Sequence, residues 1–133
     1  METVNLLIRS ADNTRKILKE KVKGYKYTSN NIIKYEYETT LGKSTIYYHI
    51  NTNHIIIKRT GESNIQLSIY EKIHSYFYYK NDVAKFEFLV LGNNIDFRKN
   101  KLRFSYSLFT NIDDLKKNKN IFNKIHMSIE EIT

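Results

Sequence analysis

From Lys101 to Phe109 the chain alternates apolar and polar residues with a period of two. Leu102, Phe104, Tyr106 and Leu108 fall on one face, opposite Lys101, Arg103, Ser105 and Ser107. A strand with one face on a core and the other in water leaves this pattern, because successive side chains leave the pleat on opposite sides. The pattern returns along the chain. Thr3 to Ile8 aligns Val4, Leu6 and Ile8; Asn31 to Glu38 aligns Ile33, Tyr35 and Tyr37; Ser44 to Ile50 aligns Ile46, Tyr48 and Ile50; His54 to Thr60 aligns Ile55 and Ile57. Arg15 to Lys26 reads as a long strand. Further strands are expected around Ile65, Leu67 and Ile69, over Ile73 to Tyr79, around Phe86, Phe88 and Val90, and around Ile95 and Phe97. A last strand turns Ile121, Ile125, Met127 and Ile129 inward. Apolar residues nowhere recur at i, i+3, i+4 and i+7 over a helix length, and Asn111 to Asn120 reads as a lysine-rich loop with room for one helical turn.

Turn-forming residues separate these runs at intervals of about 8 to 12 residues, the spacing of a meander or barrel. Asn51-Thr52-Asn53, Gly61-Glu62-Ser63-Asn64, Asn81-Asp82, Gly92-Asn93-Asn94 and Lys99-Asn100 are the expected turns. So many antiparallel strands in an open sheet would leave two edges of unpaired backbone groups. Closure removes them. The chain of 133 residues is thus expected to be a single all-β domain, residues 1–133, forming a closed antiparallel barrel of about eight to ten strands. A sandwich is the alternative.

Composition excludes much chemistry. There is no cysteine, hence no disulfide, thiolate nucleophile, Cys-ligated zinc or iron–sulfur cluster. His49, His54, His74 and His126 fall on different strands without metal-ligand spacing, so no metal is expected. No phosphate-cradling glycine loop or nucleophile elbow occurs, no cofactor is implied, and an enzyme is the least supported class. The start of the chain, with Glu2 and Arg9 inside an alternating run, lacks the pattern of a signal peptide. No apolar run approaches the about 20 residues of a membrane span. The expectation is a cytoplasmic protein, monomer or homodimer, without a membrane partner.

The net charge of +8 raises the question of an anionic partner. Lysine outnumbers arginine 17 to 5, and the chain is rich in Asn, Ile and Tyr while lacking Pro and Trp. That profile belongs to AT-rich coding, which discounts the charge. The odd positions of the second strand nevertheless carry Arg15, Lys19, Lys21 and Lys23 on one face. This face serves either as a surface for nucleic acid or another anionic polymer, or as a solvated lysine row that discourages strand pairing.

Arg59 shares its parity with Ile55 and Ile57, so alternation turns it toward the interior. A buried guanidinium needs a carboxylate or an anionic ligand. Glu20, in phase with Leu18 and Val22, is the candidate internal partner; otherwise Arg59 is the anchor of a small anionic or amphipathic ligand. Tyr35, Tyr37, Tyr48 and Tyr106 also fall on inner faces, as pocket walls or as core packing. Tyr76 and Tyr78, with Phe77 and Tyr79 beside them, could form a stacking platform for single-stranded nucleic acid if basic residues surround them.

The run Ile55-Ile56-Ile57-Lys58-Arg59-Thr60-Gly61, the strand around Leu67, Phe86-Glu87-Phe88, and Leu102-Arg103-Phe104-Ser105-Tyr106-Ser107-Leu108 follow one another in an order that resembles the YwiB-like family of small bacterial proteins (domain of unknown function 1934). The resemblance runs from about Val4 to Glu130. It departs from the family at Tyr76-Phe77-Tyr78-Tyr79 and Asn81-Asp82, where the family tends to have Thr-x-Tyr and a Pro/Gly turn. The resemblance implies a calycin-like, lipocalin-type barrel. Such barrels often hold one small ligand, and the family implies no reaction.

Overall fold

The computed structural model describes residues 1–14, 16–40, 42–61 and 63–132. Arg15, one of the four residues of the expected basic face, lies outside them. The described residues form ten strands: β1 (Glu2–Ala11), β2 (Ile17–Ser29), β3 (Ile32–Thr39), β4 (Gly42–His49), β5 (His54–Thr60), β6 (Asn64–Ile69), β7 (His74–Lys80), β8 (Lys85–Arg98), β9 (Lys101–Phe109) and β10 (Asn123–Ile132). Each pairs antiparallel with its neighbour in the chain, and β1 pairs with β10 to close the barrel. The Asn5↔Ile132 to Ala11↔His126 ladder leaves neither β1 nor β10 as an edge, which removes the exposed backbone groups that an open sheet would present.

Alternation sets the inner surface. Leu6, Ile8, Ile33, Tyr35, Tyr37, Ile46, Tyr48, Ile55, Ile57, Leu102, Phe104, Tyr106 and Leu108 are all buried, on the parity the sequence gives them. The turns follow their residues. Lys99 and Asn100 both take positive φ between β8 and β9, the geometry of a two-residue hairpin whose twist matches the strands it joins.

Two expectations change, and a third is met. Gly92-Asn93-Asn94 does not turn the chain: it lies inside the single long strand β8, where the register against β9 shifts between Asn93 and Asp96. Asn94 takes the extra position at positive φ, so the residues that suggested a turn form a bulge instead. Ile50, Ile73 and Ile121 fall just beyond strand ends, and the first two are largely exposed. The lysine-rich loop holds the short helix α1 (Ile112–Lys117), whose N-terminus is capped by the Asn111 side chain accepting from the Asp114 N–H.

Two glycines set the lumen. Gly24 stands opposite Tyr37 and Gly92 opposite Tyr106. A Cβ at Gly24 would lie 2.5 Å from the Glu36 carbonyl oxygen, and one at Gly92 would lie 2.5 Å from the Tyr70 carbonyl oxygen. Both are close approaches to backbone, which cannot swing aside. Gly92→Ala is therefore expected to cost about 1–3 kcal/mol, read as a lower urea midpoint at unchanged slope.

The two ends of the barrel differ. At the lower end, where the β2–β3, β4–β5, β6–β7 and β8–β9 connections lie, Tyr35, Ile46, Ile55, Ile69, Val90, Leu102 and Ile129 are fully buried and fill the interior. Lys26 and Glu131 form an ion pair at 2.9 Å, and the Tyr35 hydroxyl donates to the same Glu131 oxygen at 2.7 Å. This end is plugged. The upper end is not.

Candidate functional site

A cavity of about 330 Å³ opens at the upper end of the barrel. Ile57, Leu67, Phe77 and Leu108 line it as apolar walls, and Tyr37, Ser44, Arg59 and Tyr106 bring polar groups to it. The register explains this grouping. Tyr37 stands opposite Ser44, and Ser44 opposite Arg59, so three neighbouring strands place their inward side chains in one row. Tyr106 comes from β9, across the lumen, with Gly92 and Ile125 as its cross-strand neighbours.

Arg59 is half-buried, and among the described residues no carboxylate lies within ion-pairing distance of it. The internal pair expected with Glu20 does not form. Glu20 instead accepts from the Thr40 hydroxyl at 3.3 Å near the rim. It stands opposite Ile8 within the β1–β2 ladder and is not among the residues lining the cavity.

Two of the tyrosines lining the cavity, Tyr37 and Tyr106, are neutral at physiological pH. Burial pushes the Tyr37 hydroxyl well above the usual phenol range, although its hydrogen bond with Ser44 and the Arg59 charge both pull the other way. Burial pushes Tyr106 up to about 12, again against the Arg59 charge. Each phenol thus keeps its proton and can donate it in a hydrogen bond. A guanidinium with neighbouring hydroxyl donors and no carboxylate partner among the described residues, set on apolar walls, has the composition of a pocket for a small molecule with one negative end.

The other two inward tyrosines are elsewhere. Tyr35 and Tyr48 are buried as expected, but both are committed to the plugged end. Tyr35 donates to Glu131, while Tyr48 donates to Asn53 at 2.8 Å and stacks on Phe97 with ring centroids 5.6 Å apart. Their parity was right; their height along the barrel axis decides that they pack the core and do not line the cavity. Ser44 and Phe77, which do line it, carry the signal that would have marked them, since Ser44 is in phase with Ile46 and Phe77 with Ser75 and Tyr79.

Aromatic rings continue to the mouth. Phe88 stacks on Phe122 at 4.8 Å and approaches Phe77 at 5.9 Å, and Phe86 and Phe122 are more than half exposed. Tyr76 and Tyr78 lie on the outer face of β7, opposite Leu89 and Glu87. On the same face Lys80 stands two residues beyond Tyr78, opposite Lys85. Lys19, Lys21 and Lys23 are exposed on the outer face of β2, as alternation requires. His49 and His54 stack at 4.1 Å, burial and then His49 hold His54 below the usual imidazole range, and no group of three ligating side chains occurs among the described residues.

The fold resembles that of the ywiB protein from Bacillus subtilis. The two structures superpose with a TM-score of 0.66 over 98% of this chain and 92% of the ywiB chain, at 16% sequence identity. No family model and no curated protein matches the sequence. The kinship with ywiB is one of fold, and it agrees with the architecture that the order of motifs around Arg59 and Tyr106 implied. Among the described residues no helix is long and apolar enough to cross a membrane.

Proposed function

We propose that this protein is a calycin-like binding barrel that holds a small amphipathic molecule by its anionic end, with Arg59 as the anchor and Tyr37 and Tyr106 as hydrogen-bonding walls. One observation carries the reading: Arg59 faces an apolar-walled cavity without a carboxylate partner among the described residues. A half-buried guanidinium left without a counter-charge costs stability, and a ligand anion supplies what the described residues do not. The cavity volume suits one small molecule, at the lower end of the range of about 300–1,000 Å³ typical of ligand pockets. The role is binding without chemistry. The titratable groups beside Arg59 are phenols whose burial keeps them protonated at neutral pH, unsuited to act as a general base. A cytoplasmic setting goes with this reading.

The test uses two fluorescent naphthalene probes of nearly equal size, anilinonaphthalene sulfonate and the neutral N-phenyl-1-naphthylamine. The protein is expected to bind the sulfonate more tightly, by at least about tenfold, a difference of 1.4 kcal/mol. Equal affinities would remove Arg59 as the anchor, and no binding of either probe would remove the pocket.

A further inference from the structure

The outer wall carries a second feature, independent of the lumen. Lys19, Lys21 and Lys23 follow one another on the exposed face of β2, about 6.6 Å apart at the rise of a strand, close to the repeat of a stretched phosphodiester chain. Arg9 stands directly opposite Lys19 on β1. The row continues through Ser128 of β10 to Arg103 of β9. There the surface sinks into a groove of about 760 Å³ to which Arg9, Arg103, His126 and Ser128 all contribute.

Like charges directly opposite on neighbouring strands destabilise a sheet. The fold nevertheless keeps Arg9 against Lys19, and neither they nor Lys21 and Lys23 form an ion pair among the described residues. Of the two carboxylates lining the groove, Asp96 pairs with Arg98 and Arg103, and Glu71 accepts from the Ile95 N–H at 2.7 Å. At the other end of the strip, past Lys23 on the same face of β2, Tyr25 is 45% exposed. A ring at the end of a cationic track is what a nucleobase stacks on.

We propose that this strip, from Tyr25 through Lys23, Lys21 and Lys19 to Arg9 and Arg103, binds single-stranded nucleic acid without regard to sequence. The cations contact successive phosphates and Tyr25 stacks one base. The strip bends across β2, β1, β10 and β9 around a convex wall and ends in a concavity. A flexible chain follows that path, whereas a stiff duplex or a planar lipid surface does not.

Fluorescence anisotropy with a labelled oligothymidylate about 20 nucleotides long, longer than one site of this kind, tests it between about 50 and 200 mM salt. The logarithm of the affinity should fall with the logarithm of salt, by about 0.7 per phosphate contact. Arg9→Ala/Lys19→Ala should lessen that slope by about 1.4. Tyr25→Ala should weaken binding about fivefold or more at unchanged slope. Lys116→Ala/Lys117→Ala removes the same charge from α1 and should leave the slope as it was. The proposal is overturned if this control lowers the slope as much as Arg9→Ala/Lys19→Ala does, if Tyr25→Ala binds like the wild type, or if duplex DNA or phosphatidylserine vesicles bind as tightly as the single strand.

Discussion

Glu131→Ala is expected to destabilise the barrel by about 3 kcal/mol, the lower part of the range for breaking a buried ion pair. In a chain of this length that is a fall in Tm of about 10 °C. The size follows from what Glu131 holds. One of its oxygens accepts from both the Lys26 ammonium, at 2.9 Å, and the Tyr35 hydroxyl, at 2.7 Å. The Lys26 and Glu131 side chains are only 14% and 13% exposed, so little water can replace the lost acceptor. Truncation leaves a cation and a phenol at the plugged end with their shared partner gone. Lys26→Met/Glu131→Leu removes both charges together and should recover most of the loss, because a matched apolar pair avoids the desolvation that the ion pair must overcome. Thermal denaturation of the three proteins reads the cycle. If Glu131→Ala melts within about 2 °C of the wild type, the plug is not what holds this end shut.

That plug also marks where the sequence stopped being readable. Parity assigns a face to every residue of a strand, and it placed Arg59, Tyr37 and Tyr106 inside and Lys19, Lys21 and Lys23 outside. It gives no height along the barrel axis. Tyr35 and Tyr37 have the same parity and are two residues apart, yet Tyr35 seals the lower end and Tyr37 faces the cavity, because the register of β3 against β2 and β4 sets them at different levels. Lys26 and Glu131 are in phase with Val22 and Ile129 and so were inward by the same rule. Their meeting depends on the β1–β10 and β1–β2 pairings, which bring the two ends of the chain together across a separation no local pattern reports. The bulge in β8 escaped for a chemical reason. Gly-Asn-Asn has the composition of a turn, since both structures need a residue at positive φ.

Arg59→Met separates the needs of the fold from those of the site, because the two readouts are expected to move in opposite directions. The cavity holds Arg59 against Ile57 and Ile65 walls and beside two neutral phenols, and the described residues offer its charge no carboxylate. Methionine fills a similar volume with an apolar, flexible chain. Removal of a half-buried cation that the described residues do not compensate should therefore stabilise the free barrel by about 0.5–2 kcal/mol, the usual gain when a strained functional position is relaxed. That is a rise in Tm of about 2 to 7 °C. Over the same substitution the affinity for anilinonaphthalene sulfonate should fall at least about tenfold, since the charge-assisted hydrogen bonds from the guanidinium are lost, while the neutral naphthylamine should bind as before or more tightly. A structural guanidinium gives the reverse. If Arg59 bridged groups of the barrel itself, Arg59→Met would melt lower and weaken both probes alike, and the ligand reading of the lumen would be lost with it.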